Sequence, residues 1–409
     1  MYMTIRQFTR LMLICRSITL GAVSALAAQA QATPHTPKDD AMVIERLPFR
    51  AGDTDARELS ALRAAVASAP NDPAPAVELA QKYFDLAMAR GDPRYVGYAD
   101  AIVNRFSTPQ SAPLLLVRGT LRQYRHDFAA ALDDFAAALK LDPDLAGAHA
   151  WRGAIHLVQA DYPGAAKECE ALQGLRRAVL SGGCAGLTLA YTGQLDKAYT
   201  TLQQALAAAS DEDHRLWLHT RLAEVAAWQG QVATAERHYR QALAIGRDDG
   251  YLLAAWCDFL LDRGRPSEVV KQLAAWESSD GLLLRLAEAE TRLKLPGAPA
   301  HRQALEDRFA AARLRGDTTH RAEEARFHLR LKGDAKLAVA LAAENYRVQK
   351  EPRDARILLE AAVAAKDPGA ARAALDWLQS SGFEDAGLRQ LGQKLTQPAL
   401  AHPRPGVSQ

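Results

Sequence analysis

Residues 119–143 read GTLRQYRHDFAAALDDFAAALKLDP, and the spacing within this stretch decides the fold. Gly119, Ala131, Phe135 and Ala138 stand 12, 4 and 3 residues apart, and a proline follows five residues later. The same 12-4-3 spacing recurs along the chain. The clearer copies are Gly153/Ala165/Cys169/Leu172, Gly186/Ala198/Leu202/Ala205, Ala223/Ala235/Tyr239/Ala242 and Cys257/Val269/Leu273/Trp276, and the weaker ones are Ala87/Ala99/Val103/Phe106, Arg326/Ala338/Ala342/Asn345 and Ala361/Ala373/Trp377/Ser380.

Successive copies start at a nearly constant interval. The intervals are 32, 34, 33, 37 and 34 residues, then 69, which is two periods, and then 35. A repeat of this length is typical of stacked helical hairpins rather than of one globular core. No run of β-branched residues is bounded by hairpin turns, so strands are not expected. The sequence therefore predicts an all-α fold, a right-handed α-solenoid of about nine helical hairpins with capping helices at both ends.

Turn signals and composition divide the chain into segments. We expect a signal peptide at 1–32, a flexible leader at 33–52, an N-terminal capping helix at 53–70, the solenoid at 71–383, a C-terminal capping helix at 384–397 and a disordered tail at 398–409. The spacing is degraded at 282–316, but the double interval there still requires another hairpin.

The spacing also explains why hairpins form. Two antiparallel helices approach closely only where a small residue leaves room, and each copy places a small residue on both helices. Four residues beyond the second small residue, a large apolar side chain on the same helix face is expected to pack against the next hairpin. Each hairpin is thus expected to contact only its neighbours. The positions assigned to this structural role are Gly119, Ala131, Phe135, Gly153, Ala165, Gly186, Ala198, Ala223, Ala235 and Tyr239.

These residues resemble the signature of the tetratricopeptide repeat (TPR) family. That signature has a small residue on the first helix, alanine and an aromatic residue on the second, and proline at the exit, as in Gly119…Ala131…Phe135…Pro143. The resemblance covers about 300 residues, although later copies lack the exit proline and Arg326 occupies a normally small position. It implies a protein-interaction scaffold and says little about chemistry.

The charge balance argues against binding to nucleic acid. The chain carries 50 basic and 48 acidic residues, for a net charge of +2. Three basic residues lie in the first 32 positions, which leaves 47 basic and 48 acidic residues in the remainder. Nucleic-acid binding usually requires a basic face that displaces counterions, and this composition supplies none.

The N-terminus has the pattern of an export signal. Arg6 and Arg10 form a basic start, residues 18–28 are apolar, and small residues suitable for cleavage follow at 28–32. A membrane anchor is the alternative, but Arg16 leaves far fewer than the ~20 apolar residues needed to span a bilayer. Lipid attachment at Cys15 is disfavoured by its flanking residues. We expect export, most simply to the periplasm, without stable membrane insertion.

Three cysteines lie beyond the predicted signal, and two of them are candidates for a disulfide. An exported protein meets oxidising conditions, so pairing is possible. Cys169 falls on the second helix of one unit and Cys184 on the first helix of the next, and these helices should pack directly. The alternative is three free, buried thiols, with Cys257 as the third.

The TPR resemblance implies that the first helices line a concave groove. The residues expected there are small and apolar, with aromatic and acidic side chains along one wall. Aromatic anchors beside carboxylates suggest a peptide partner with apolar and basic residues. The alternative is that the aromatic residues pack between helices. The groove residues assigned are Tyr191, Trp217, Glu224, Trp228, Tyr251, Asp258 and Asp262.

No motif for catalysis is evident. The chain has no phosphate-binding loop, no Gly-x-Ser-x-Gly elbow and no His-Glu-x-x-His. His149 and His156 share a helix face without further ligands at suitable spacing, so neither a metal nor a cofactor is expected. The charge clusters Glu168/Glu170 and Glu323/Glu324 are expected to be solvated. We predict a non-catalytic exported scaffold for a peptide or protein, in a setting such as envelope assembly. The alternatives are a helical-hairpin enzyme acting on envelope polysaccharide and a self-assembling structural protein.

Overall fold

The structure is a computed structural model that describes Asp39 and residues 53–106 and 111–396. The chain divides into two compact units, residues 1–57 and 58–409. The predicted signal peptide, the tail, and the leader apart from Asp39 lie outside the described residues. Within the described part of the chain, every regular element is helical and no strand is present.

Twenty α-helices follow one another along the described residues. They are α1 (Thr54–Ser68), α2 (Pro73–Arg90), α3 (Arg94–Val103), α4 (Ala112–Tyr124), α5 (Phe128–Leu141), α6 (Ala146–Val158), α7 (Tyr162–Gly174), α8 (Ala178–Tyr191), α9 (Leu195–Ala208), α10 (Glu212–Trp228), α11 (Val232–Ala244), α12 (Gly250–Asp262), α13 (Pro266–Leu273), α14 (Asp280–Leu293), α15 (Ala298–Leu314), α16 (Arg321–Phe327), α17 (Ala335–Tyr346), α18 (Pro352–Ala365), α19 (Arg372–Ser381) and α20 (Ala386–Thr396).

The helices from α2 to α19 pair into nine consecutive hairpins. Hairpin 1 is α2 and α3, hairpin 2 is α4 and α5, and the series continues to hairpin 9, which is α18 and α19. The predicted all-α solenoid of helical hairpins is therefore confirmed. The segments predicted as capping helices contain α1 and α20, and the degraded stretch at 282–316 is occupied by hairpin 7.

Hairpin 2 shows how the repeat spacing produces close helix packing. Gly119 on α4 lies directly under the ring of Phe135 on α5: a β-carbon on the glycine would come within 2.6 Å of the ring. Ala131 and Phe135 are both fully buried. Phe135 therefore covers the glycine of its own hairpin, besides sharing a buried cluster with Ala148 and Ile155 of the next helix. The predicted packing of the large residue against the following hairpin is thus present, together with a contact inside its own hairpin.

The other residues assigned to the repeat occupy equivalent buried positions. Gly186 lies against Leu202 in hairpin 4, just as Gly119 lies against Phe135. Gly153 differs, because its nearest side-chain neighbour is the Cys184 sulfur of the next hairpin. The remaining positions have at most 3% of their surface exposed, and they are Ala165, Ala198, Ala223, Ala235 and Tyr239.

The sulfur atoms of Cys169 and Cys184 lie at bonding distance, 2.01 Å apart, with their Cα atoms separated by 5.5 Å. This bond joins the second helix of hairpin 3 to the first helix of hairpin 4. Cys257 is a buried free thiol, and burial raises its pKa to about 12. A thiol held in its neutral form is a poor nucleophile, so Cys257 acts as a small apolar residue.

Hairpins that are distant in sequence share one buried core. A single cluster of buried side chains combines residues from 157–225 with residues from 325–388. Hairpins 8 and 9 and helix α20 thus pack against hairpins 3, 4 and 5. The prediction that each hairpin contacts only its neighbours is wrong for this chain, because the last hairpins bury apolar surface that the middle ones leave uncovered.

Two backbone approaches mark where distant hairpins meet. The Lys350 amide donates to the Val158 carbonyl oxygen at 2.7 Å, which connects the start of hairpin 9 to the end of α6. Gly193, in the turn of hairpin 4, lies against the Gly382 carbonyl, and a β-carbon at Gly193 would be 2.5 Å from that oxygen. Neither contact follows from the 34-residue period, since each spans more than five periods.

Candidate functional site

The seven residues predicted to line a groove all lie on first helices of consecutive hairpins. Tyr191 ends α8; Trp217, Glu224 and Trp228 lie on α10; Tyr251, Asp258 and Asp262 lie on α12. We call this set the predicted groove residues. Their helical placement follows the repeat, but what covers them differs from the expectation of an open groove.

Tyr191 is covered by the chain itself. Only 3% of it is exposed, and its hydroxyl donates to Glu351 at 3.4 Å, just before α18. Its ring contacts those of Tyr162, Trp228 and Phe383, with centroids 6.0–6.4 Å apart. Burial holds the pKa of Tyr191 well above its ordinary value. In this structure Tyr191 is a core residue, which fits the alternative interpretation that the aromatic residues pack between helices.

Trp217 also packs within the array. Its ring lies on the backbone of Gly183, on α8, where no β-carbon could be accommodated. The glycines of the Ser181-Gly182-Gly183 stretch thus serve close helix packing, and Gly182 similarly approaches Ala205.

Glu224 and Tyr251 are brought together in a polar cluster. The Tyr251 hydroxyl donates to Glu224 at 2.7 Å, and Arg221 donates to the other carboxylate oxygen at 2.9 Å. The guanidinium of Arg353, on α18, lies 5.2 Å from the centre of the Tyr251 ring. Burial raises the pKa of Tyr251, so its hydroxyl stays protonated and continues to donate.

Asp258 is held between two arginines. Arg285 and Arg326 donate to it at 2.6 and 2.7 Å. Burial alone would raise the pKa of Asp258, but these two cations hold it well below its ordinary value. Arg326 also donates to Glu288, which is only 3% exposed. Arg326, which departs from the repeat by occupying a small position, therefore joins hairpin 8 to hairpins 6 and 7.

Asp262 is exposed but paired. Arg356, on α18, donates to both of its carboxylate oxygens at 2.6 Å, a bidentate arrangement. The basic residues of hairpins 8 and 9 that neutralise the predicted groove residues were not predicted from the sequence. Only Arg326 gave a signal, as a cation at a position that the repeat reserves for a small residue.

One residue of each acidic cluster is buried, contrary to the expectation of solvated charge. Glu168 is 6% exposed and binds His149 and Arg152 at 2.7 and 2.8 Å. Glu324 is likewise 6% exposed and pairs with Arg313. Both carboxylates connect helices, because a buried charge requires a partner.

The predicted groove residue that keeps access to a cavity is Trp228. A cleft of about 440 Å³ opens where the turns of hairpins 4 and 5 meet the start of α20, and we call it the Trp228 cleft. Its lining residues are Leu195, Asp196, Ala227, Trp228, Gln229, Gly230, Gln231, Glu384, Asp385, Ala386 and Gly387.

The Trp228 cleft combines one indole with carboxylates and has no basic lining residue. Trp228 is half-buried, with its inner side against Phe383 at a centroid distance of 5.2 Å. Asp196 and Glu384 are exposed, and each uses one oxygen for a protein donor: Gln229 at 2.8 Å and the Leu195 amide at 2.9 Å.

Asp385 adds a third carboxylate to the cleft, and Gln229 and Gln231 add side-chain amides, which both donate and accept. Asp385 uses one carboxylate oxygen to accept from the Leu388 amide at 2.7 Å, at the start of α20. The side-chain oxygen of Gln229 is buried without a hydrogen-bond partner. The cleft therefore offers an apolar surface beside hydrogen-bond acceptors and negative charge, a combination that suits a cation with an apolar stem.

No helix in the part of the chain that the structure describes is long and apolar enough to cross a membrane. Across the same described ranges, no group of three or more histidine, cysteine, aspartate or glutamate side chains has an arrangement that could hold a metal ion.

No family model matches the sequence, and no curated protein matches it. Solved structures do match. They include a tetratricopeptide repeat protein from Parabacteroides merdae (15% identity, 57% of this chain and 91% of that chain, TM-score 0.42) and human IFIT1 as a dimer with m7Gppp-AAAA (14%, 83% and 86%, 0.41). Yeast Tom70 also matches (14%, 76% of this chain, 0.35), and the match covers 59% of its length. Since identity is low and every one of these TM-scores is below 0.5, the assignment of the fold rests on the chain's own nine hairpins.

Proposed function

We propose that this chain is a non-catalytic scaffold that binds a protein partner, and that the Trp228 cleft receives a segment of that partner with apolar and basic residues. The observation that carries the proposal is the composition of the cleft, in which a half-buried indole lies beside three acidic residues and no basic one. Aromatic side chains that fill pockets dominate the binding energy of many interfaces. A cation near an indole face adds roughly 0.5–2 kcal/mol.

The partner is thus placed at the Trp228 cleft and not in the open groove that the sequence predicted. Tyr191, Glu224, Tyr251 and Asp258 are engaged by residues of the same chain, so a partner would have to displace those contacts. Trp228 belongs both to the predicted groove residues and to the cleft. The expected chemistry of the partner, apolar and basic, is therefore kept, while its position is changed.

The state of one inward carboxylate, Asp258, supports a non-catalytic role for that residue. A hydrolase of the helical-hairpin kind needs a carboxylic acid that can give up a proton near neutral pH. Asp258, held ionised by two arginines, is unsuited to that task. The proposal also names a protein rather than a nucleic acid, because the chain carries almost equal numbers of basic and acidic residues. We further propose that it acts after export, in a setting such as envelope assembly.

The proposal is tested by photocrosslinking in the native cell compartment. A photoreactive residue at Gln231, which lines the cleft, should capture a partner, whereas one at the exposed Arg237 on α11 should not. Capture from Gln231 should fall at least tenfold in the triple variant Asp196→Asn, Glu384→Gln and Asp385→Asn. These changes remove charge but keep an oxygen to accept each hydrogen bond, so the fold is retained.

A matched control changes three helix-capping aspartates elsewhere. Asp72→Asn, Asp211→Asn and Asp334→Asn alter the net charge equally and also keep their caps. If capture is lost equally in both triple variants, or persists in the cleft variant, the cleft is not the binding site.

A further inference from the structure

A pair of buried histidines holds hairpin 5 together and connects it to hairpin 4. His219, on α10, and His238, on α11, place their Nδ1 atoms 3.1 Å apart. They are 9% and 6% exposed. The other ring nitrogen of His238 lies 2.8 Å from the hydroxyl of Tyr199, on α9. Three helices of two hairpins therefore share one hydrogen-bonded chain.

The bond between the two imidazoles is lost when both rings are protonated. The bond between the two Nδ1 atoms needs one nitrogen that carries a proton and one that presents a lone pair. A second proton would place two N–H groups face to face, which removes the bond. Even the first added proton, which the donor ring can take on its Nε2 without breaking the bond, places a positive charge in a buried site.

The charges around the pair oppose protonation. Arg215, on α10, acts on His219, and Arg237, on α11, acts on His238; both are exposed guanidiniums. From α9 the pair meets only the neutral phenol of Tyr199. Burial is the main cause that lowers the pKa of both histidines; Arg215 adds to it at His219, and at His238 the neighbouring His219 and then Arg237 add to it, so that the pKa of His238 falls to about 4.

The carboxylates of the neighbouring helix α12 are already engaged. Asp258 is bound by Arg285 and Arg326, and Asp262 by Arg356. Neither is among the charges that act on the histidine pair. An imidazolium formed between α10 and α11 would therefore have no counter-ion from the helices packed around it.

We propose that the His219–His238 pair is an acid-sensitive latch, which releases the packing of α11 on α10 and α9 when the surrounding pH falls below about 5. The latch is separate from partner binding and does not depend on it. The direction of the pH effect follows from proton linkage. The pKa of His238 is about 6.5 when α11 has opened and about 4 when it is packed. The packed state therefore has its full stability above pH 6.5 and loses stability as the pH falls from 6.5 to 4.

The latch is tested by hydrogen–deuterium exchange on the full chain, corrected for the intrinsic pH dependence of exchange. Between pH 7.5 and pH 5, local opening of α10 and α11 should rise about 30-fold, from the two pKa values of His238 alone. Hairpin 7, the reference, should change far less. His238→Gln keeps a donor and an acceptor but cannot titrate, so this variant should lose the increase that His238 contributes and keep only the part due to His219.

A control variant is His214→Gln, which removes a half-buried histidine of α10 that binds Asp211. It should keep the increase seen in the parent protein. An equal increase in hairpins 5 and 7 of the parent, or a full increase in His238→Gln, would overturn the proposal. If His238→Gln does not fold, nuclear magnetic resonance titration of the parent decides: a His238 imidazole that titrates above pH 6 contradicts the latch.

Discussion

Replacing Gly193 with alanine should destabilise the protein far more than the same change at Gly230. Both glycines lie in the turn of a hairpin and have left-handed backbone, with φ of +72° and +75°. Alanine in this conformation costs roughly 1–2 kcal/mol, and that cost applies to both variants. The loss of chain freedom in the unfolded state is likewise the same for both.

The two sites differ in what surrounds the new methyl group. At Gly230 nothing lies within 4 Å, whereas at Gly193 the methyl carbon would be 2.5 Å from the Gly382 carbonyl oxygen and 3.0 Å from its carbon. An ordinary C···O contact is about 3.3 Å, so the two hairpins must separate by about 0.8 Å. Phe383, which is fully buried, follows Gly382 directly and must move with it.

Overpacking of this kind typically costs about 1–3 kcal/mol beyond the backbone term. We therefore expect Gly193→Ala to reduce the free energy of unfolding by roughly 2–5 kcal/mol in total and Gly230→Ala by about 1–2 kcal/mol. Urea unfolding followed by circular dichroism measures both. Equal losses in the two variants would refute the close approach of hairpin 4 to the segment before α20.

Three further predictions test other contacts. Thiol titration of the denatured, unreduced protein should find one free thiol, Cys257, beyond the predicted signal peptide, and three free thiols would exclude the Cys169–Cys184 bond. Reduction of that bond should lower the free energy of unfolding by about 3 kcal/mol, as expected for a loop of this length. Arg326→Ala should destabilise the protein by about 3–5 kcal/mol, because it leaves the buried carboxylate of Glu288 without its cation. The control Arg372→Ala removes an exposed ion pair with Asp376 and should change the stability little. Similar effects of the two variants would show that Arg326 does not join the hairpins. Phe383→Ala should reduce the free energy of unfolding by about 3–5 kcal/mol and alter tryptophan fluorescence, because Trp228 and Trp377 contact the Phe383 ring. Leu314→Ala, at a side chain that is 90% exposed, serves as the control. Unchanged fluorescence in the Phe383 variant would contradict the aromatic packing.

The sequence predicted the hairpins well because the information for them is local. Gly119 and Ala131 are 12 residues apart, and the side chains they admit belong to the same hairpin or the next. Even the degraded stretch at 282–316 could be placed, since the interval between its neighbours left room for one hairpin only.

The contacts between distant hairpins could not be predicted in the same way. The repeat spacing accommodates Tyr191 equally well whether the outer side of its ring contacts solvent, a partner or Phe383. The period fixes which face a residue occupies, but not what lies opposite that face several hairpins later. Arg326 was the exception, because a cation at a small position requires an acidic partner from outside its own hairpin.

The shared core also has a consequence for biosynthesis. The apolar surface around Tyr191 and Trp228 is completed by Phe383, which leaves the ribosome 155 residues after Trp228. At about 5–20 residues per second, the nascent chain shows this surface for roughly 8–30 s before its own C-terminal segment can cover it. A holding chaperone, or an export route that delays folding until translation ends, would protect the chain during that interval.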